Sequence, residues 1–227
     1  VEKVYLFYSD GTNNYGTATC SGTPAACSAA DADTIITNVS NTDFGAAFAT
    51  GDFNVDGRTD LVVGAPSNTS TGGRVYIFYN DGSYPATYTS ADVTISSTCY
   101  QCVFGGSLAT GDWNVDGRTD LAVGEPFTSS NTGNVYFFYN DGSLPTTAAT
   151  ADVTLTGKAT SNMFGCALAS ADFNSDRKVD LVVGAYGYGT STGQVYLFTS
   201  EAAPALIPPG TSYLKGTSKL KGTMKWK

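Results

Sequence analysis

A chain of 227 residues has room for one large or two small domains with a sizeable core, and no apolar run in it approaches the length of a membrane-spanning helix. It contains no histidine, which removes the commonest general base, the commonest metal ligand and every triad built on imidazole. The net charge of −8 is unevenly spread: all twenty acidic residues lie between Glu2 and Glu201, five of the twelve basic ones lie between Lys215 and Lys227, and the body has no basic stripe for nucleic acid.

The chain opens on Val4-Tyr-Leu-Phe-Tyr8, a β-branched and aromatic run followed by the turn signal Ser9-Asp10-Gly11, and this predicts a strand. The same strand returns at Val75-Tyr-Ile-Phe-Tyr79, Val135-Tyr-Phe-Phe-Tyr139 and Val195-Tyr-Leu-Phe198. The first two copies are 71 residues apart and the later ones 60; the extra length falls between Ser9 and Asp31, a small-residue segment holding Cys20 and Cys27, and reads as a surface insertion. After each aromatic strand a polar stretch leads to a half-exposed outer strand, around Thr34–Thr37, Asp92–Ile95 and Asp152–Leu155. Phe44-Gly45, Phe104-Gly105 and Phe164-Gly165 then open small-residue runs (Ala46 to Thr50, Gly106 to Thr110, Cys166 to Ser170) suited to an innermost strand crowded around an axis.

Each inner run leads into an acidic loop: Asp52-Phe-Asn54-Val-Asp56-Gly-Arg58-Thr-Asp60, then Asp112-Trp-Asn114-Val-Asp116-Gly-Arg118-Thr-Asp120, then Asp172-Phe-Asn174-Ser-Asp176-Arg-Lys178-Val-Asp180. Oxygen-bearing side chains stand at positions one, three, five and nine, and this reads as a cage for Ca²⁺, a hard cation that takes about six to eight oxygens. The loops hold nine of the acids, and three Ca²⁺ ions would bring the charge of −8 to about −2. After each loop comes a run expected to be buried on both faces, Leu61–Gly64, Leu121–Gly124 or Leu181–Gly184. No stretch carries helical periodicity. A four-stranded unit recurring every 60 residues, with an apolar inner sheet it cannot bury alone, predicts an all-β chain of β-propeller blades.

Phe44-Gly45 with Gly64-Ala65-Pro66, Phe104-Gly105 with Gly124-Glu125-Pro126, and Phe164-Gly165 with Gly184-Ala185-Tyr186, each flanking an Asp-x-Asn-x-Asp loop, resemble the FG-GAP repeat family, the propeller of integrin α chains and of many secreted proteins. The resemblance covers roughly residues 1–200, with a partial first blade and repeats at about 44–103, 104–163 and 164–200. It implies one Ca²⁺ per loop, bound by Asp52, Asn54, Asp56, Asp60 and the Arg58 carbonyl; by Asp112, Asn114, Asp116, Asp120 and the Arg118 carbonyl; and by Asp172, Asn174, Asp176, Asp180 and the Lys178 carbonyl. The third loop departs from the pattern, since Arg177 stands where the others have Gly57 and Gly117. Three such blades do not close a ring of about four to eight, so the chain is expected to be part of a longer propeller, to associate with further copies of itself, or to have its edges capped by a partner.

Of five cysteines, Cys20 with Cys27 and Cys99 with Cys102 are expected as two local disulfides of an oxidising compartment, the alternative being unpaired thiols, and Cys166 as a small buried thiol. Residues 201–210 read as a Pro-rich linker and 211–227 as a Lys-rich amphipathic β segment, either an outer strand, the opening of a following β module, or a strand donated to a neighbour. Asn38-Val-Ser40 and Asn68-Thr-Ser70 fit the glycosylation sequon. Tyr15, Tyr84, Tyr88, Tyr100, Tyr186 and Tyr188 fall in loops where they are available for aromatic contacts. The leading expectation is a secreted or cell-surface binding or adhesion module with a protein or glycan ligand and no catalysis of its own. The alternatives are a building block of an extracellular fibre or layer, and a lectin or accessory domain of a secreted hydrolase.

Overall fold

The computed structural model describes residues 1–9, 28–40, 42–67, 72–187 and 192–199. Among these residues thirteen antiparallel strands form four sheets in strict chain order. The first holds β1 (Glu2–Leu6) and β2 (Thr34–Asn38); the second β3 (Ala47–Gly51), β4 (Asp60–Ala65), β5 (Arg74–Phe78) and β6 (Val93–Ser96); the third β7 (Ser107–Gly111), β8 (Asp120–Glu125), β9 (Asn134–Phe138) and β10 (Val153–Thr156); the fourth β11 (Phe164–Ala171), β12 (Asp180–Ala185) and β13 (Gln194–Phe198). This is an open, partial propeller, and its inner-to-outer strand order is the one expected from the repeat. Helical geometry among the described residues is confined to single turns such as Tyr88–Ser90 and Ala148–Thr150, and Thr128–Asn131 is a turn with left-handed backbone at Ser129, Ser130 and Asn131.

Registers repeat as the period requires. Ala49, Val62, Ile77 and Val93 form one cross-strand row of the second sheet, and Ala109, Ala122, Phe137 and Val153 form the matching row of the third. Each row packs on the next sheet: Val62, Val75 and Ile77 meet Phe104, Leu108, Leu121 and Val123, while Ala122, Val135 and Phe137 meet Phe164, Leu181 and Val183. Fully burying one such valine or isoleucine contributes about 1.5–3 kcal/mol, so blade stacking is where most of the apolar stabilisation lies. Beside each stack the Phe of the Phe-Gly pair meets two alternate rings of its own aromatic strand nearly edge-on: Phe44 with Tyr76 and Phe78, Phe104 with Tyr136 and Phe138, Phe164 with Tyr196 and Phe198.

Successive sheets touch through backbone. A Cβ on Gly64 would stand 2.0 Å from the Gly105 carbonyl oxygen, and one on Gly124 2.1 Å from that of Gly165, so the glycine of the Gly-Ala-Pro triplet is required by the approach of the next blade. Hydroxyls stitch the same seam, Thr110 donating to the Thr50 carbonyl at 2.8 Å and Ser170 to the Thr110 carbonyl at 2.7 Å.

Both ends of the stack are uncovered among the described residues. The run after the acidic loop is buried throughout in β4 and β8, but in β12 Val182 and Gly184 are only half-buried, because no sheet follows among the described residues. Val195 is 43% exposed where Val75 and Val135 are at 0%; Phe48 is 53% exposed where Leu108 is at 8%, because among the described residues the first sheet has outer strands only.

Several expectations change. Cys166 is half-buried and unpaired, at an irregular step in the β11–β12 pairing, instead of buried. Tyr84 and Tyr88 are committed to the body: the Tyr84 hydroxyl donates to the Thr59 carbonyl at 2.6 Å, and Tyr88 packs on Phe44 and Tyr76. Asn38 is fully buried and its amide donates to Glu2 and Thr42, so the first sequon presents no accessible acceptor. Cys20, Cys27, Tyr15, Tyr188, Asn68 and the segment 201–227 lie outside the described residues.

Candidate metal centre

Each acidic loop is the hairpin between the inner and second strands, β3–β4, β7–β8 and β11–β12, so three copies of one device stand at the same place in three successive sheets. The ninth-position carboxylates Asp60, Asp120 and Asp180 open the second strands and are at 0% exposure. Asp60 accepts from the Phe53 N–H at 2.8 Å and the Asn80 N–H at 2.9 Å; Asp120 accepts from Trp113 at 3.0 Å and Asn140 at 2.9 Å; Asp180 accepts from Phe173 at 2.9 Å.

The remaining side chains fold inward on the loop. The Asp56 N–H is shared by Asp52 Oδ1 and Asn54 Oδ1 at 3.1 Å each, which draws those two oxygens around one point, and the Gly57 N–H goes to Asp52 Oδ2 at 2.9 Å. Asn54 Nδ2 donates to Asp56 Oδ2 at 3.2 Å. The pattern recurs with Asp112, Asn114 and Asp116, and again with Asp172, Asn174 and Asp176. Arg58, Arg118 and Lys178, whose carbonyl oxygens complete the expected ligand sets, also donate their N–H groups to Asp56, Asp116 and Asp176 at 2.8, 2.8 and 2.9 Å.

The backbone follows the same plan. Val55, Val115 and Ser175 have φ of 60°, 60° and 64°, and the sixth positions Gly57, Gly117 and Arg177 have 84°, 86° and 68°. Arg177 therefore holds the left-handed conformation that glycine adopts freely in the other loops. The third loop is also the most open: Asp172 and Asn174 are exposed where Asp52, Asn54, Asp112 and Asn114 are half-buried.

The donor chemistry fits a hard cation, since every side chain in the set presents oxygen. Electrostatics point the same way: burial first, then the charge of Asp116, pushes the Asp120 carboxyl up to about 7 against the hydrogen bonds from Asn140, Trp113 and Asn114. A carboxylate so placed calls for a positive partner.

Sequence reasoning missed three polar residues: Glu2, Glu125 and Asn140. The Glu2 carboxylate accepts N–H from Thr42, Asp43 and Phe44 at 2.8, 2.6 and 3.1 Å and so caps the first Phe-Gly turn. Burial by itself raises its pKa, but those hydrogen bonds and the Thr42 hydroxyl outweigh it and the net shift is downward. Glu125 is 1% exposed at the end of β8, where β4 and β12 have Ala65 and Ala185. A lone acid among alanines at one repeat position is the signal that could have found it.

Cys99 and Cys102 are bonded to each other, with Cα atoms 5.5 Å apart. Across the chain, the FG-GAP repeat model matches residues 44–78, 104–138 and 164–198, each running from a Phe-Gly pair through an acidic loop to the end of an aromatic strand. Phosphatidylinositol-glycan-specific phospholipase D of Bos taurus is 35% identical over 71% of this chain and 21% of its own length. Integrin alpha-7 of Homo sapiens is 38% identical over 62% of this chain and 12% of its own, and integrin alpha-PS2 of Drosophila melanogaster 33% identical over 72% and 12%. The chain thus spans about a fifth or less of the length of these curated relatives. Three matched repeats, placed in three stacked sheets with the same loop in each, make this chain an FG-GAP repeat protein of the integrin α-like kind.

Proposed function

We propose that the chain is a Ca²⁺-stabilised binding module that works outside the cell on a protein or glycan ligand, with no catalysis of its own. The observation that carries this reading is the threefold recurrence of one acidic hairpin with one hydrogen-bond plan, which suits a structural clasp better than a reaction centre. Asp52, Asn54, Asp56 and Asp60, and their counterparts in the other two loops, would hold the ion, and the ion would supply the positive charge that lets a carboxylate such as Asp120 stay ionised while buried. A chain without histidine, whose clustered acids are committed to such loops, has little left for acid–base work. Similarity to a phospholipase D over a fifth of that protein supports an accessory role for these repeats, with hydrolysis carried elsewhere. The test is binding of the chain, immobilised in Ca²⁺, to glycan arrays and extracellular matrix proteins; binding abolished by chelator is expected, and silence across both panels contradicts the reading.

A second reading, assembly into fibres or layers, rests on the uncovered ends. Val195 and Phe48 keep the apolar character that their counterparts use for stacking, so another blade of a longer chain or of a second copy would bury them. Sedimentation of the purified chain should show self-association that Val195→Asp or Phe48→Asp weakens; a monomer at all concentrations contradicts assembly by copies of this chain.

A further inference from the structure

The cysteine pair and Glu125 meet in a place no metal loop reaches. Cys99 and Cys102 lie in the turn between β6 and β7, and Glu125 comes from β8 of the following blade. Both sulfurs and a carboxylate oxygen of Glu125 lie within 4.8 Å of one another. The acid occurs in the one blade whose Phe-Gly turn is preceded by two cysteines, and alanine replaces it in the sheets on either side. We propose that Cys99 and Cys102 are a redox-active pair that exchanges its disulfide with an external thiol or dithiol, with Glu125 as the group that gives and takes the proton.

Three observations carry this beyond a local staple. The sulfurs are unequal: Cys102 is 5% exposed, whereas Cys99 is half-buried and forms part of the wall of an open hollow of about 320 Å³ between the second and third sheets, where an incoming thiol has room. Among the described residues the partners of Glu125 are hydroxyls, that of Ser97 at 2.5 Å, that of Tyr136 at 2.8 Å, and that of Thr128. Burial pushes its pKa up against those hydrogen bonds, so its proton is retained closer to neutrality than a surface carboxyl's would be. Ser97 also ties the two parts together, because its oxygen accepts the Cys99 N–H at 3.1 Å while its hydroxyl donates to Glu125.

The chemistry balances. A thiolate RS⁻ attacks Cys99 Sγ, the Cys99–Cys102 bond breaks, Cys102 Sγ leaves as thiolate and takes the proton of Glu125, directly or through one water. A second thiolate then attacks the sulfur that the first left on Cys99, forming RSSR and releasing Cys99 as thiolate, which takes a proton from solvent. Two external thiols are oxidised and one protein disulfide is reduced. In reverse, ionised Glu125 removes the Cys102 proton, and the thiolate so formed closes the disulfide and expels the external thiol from Cys99.

The test uses the full chain in Ca²⁺, with reduced glutathione as the probe monothiol and dithiothreitol as the probe dithiol, and the sulfurs mapped by alkylation and mass spectrometry. Glutathione is expected on Cys99 and not on Cys102, and Glu125→Gln is expected to slow native-state reduction about tenfold near neutral pH and to shift its pH profile. If Glu125→Gln does not fold, the wild-type profile decides, since the proposal requires a break beyond that of the added thiol's own ionisation. A disulfide that resists both thiols while the fold persists, glutathione on Cys102, or a Gln variant with unchanged rate and profile overturns it.

Discussion

The side-chain amide of Asn140 donates to the backbone carbonyl of Phe53 at 2.7 Å, across the boundary between the second and third sheets. The backbone N–H of the same residue donates to Asp120 at 2.9 Å, so one buried asparagine touches the acidic loops of two successive blades. Asn140→Ala leaves a carbonyl without its donor in a buried seam and is expected to cost about 1–3 kcal/mol in urea unfolding. Asn80, its counterpart one sheet earlier, is half-buried with no acidic loop before it among the described residues. Asn80→Ala should therefore cost clearly less, and equal losses would contradict the linking role.

Arg177 holds φ of 68° where Gly57 and Gly117 sit at 84° and 86°. A Cβ at Gly57 or Gly117 would meet nothing within 4 Å, so the cost of a side chain at this position is conformational and not steric. Arg177→Gly is expected to stabilise the chain by about 1 kcal/mol and to tighten Ca²⁺ at the third loop, whereas Gly57→Ala should cost a similar amount. Calorimetry on both variants checks the opposite signs.

Glu2 and Glu125 should move stability with pH in opposite directions. The pKa of Glu2 is lowered in the folded chain, so its contribution is present above the unfolded value of 4.5 and is lost as pH falls through the lower folded value. That of Glu125 is raised, so its contribution is fully present below 4.5 and is lost as pH rises through the raised folded value. Urea unfolding across the acid range should find Glu2→Gln with a flatter loss toward low pH and Glu125→Gln with a flatter loss toward neutrality. Parallel curves for wild type and variants would contradict both assignments.

The strand order, the four-strand unit and the seat of each acidic loop were legible because a 60-residue period repeats turn chemistry and apolar pattern together. Boundaries were less so: the first two inner strands begin one residue later than expected, and the third extends over Phe164–Ala171 because an irregular step draws Phe164 into pairing with Ala185. Left-handed backbone at Val55 and Val115 was not legible, since β-branched residues avoid it and only the surrounding hydrogen bonds impose it. The half-burial of β12 depends on which sheet follows, and local pattern does not contain that. Asn140 was invisible for the same reason: its partner lies 87 positions away in sequence.

We propose that three oxygen cages hold three structural ions. Calorimetric titration of the chelated chain with Ca²⁺, followed by thermal unfolding with and without the ion, tests it most directly. Three sites per chain are expected, each adding about 2.7 kcal/mol at a hundredfold excess over its dissociation constant, with a rise in melting temperature of many degrees. Asp120→Ala should remove one site and leave two. No calcium uptake, or melting that is the same in calcium and in excess chelator, would contradict the account.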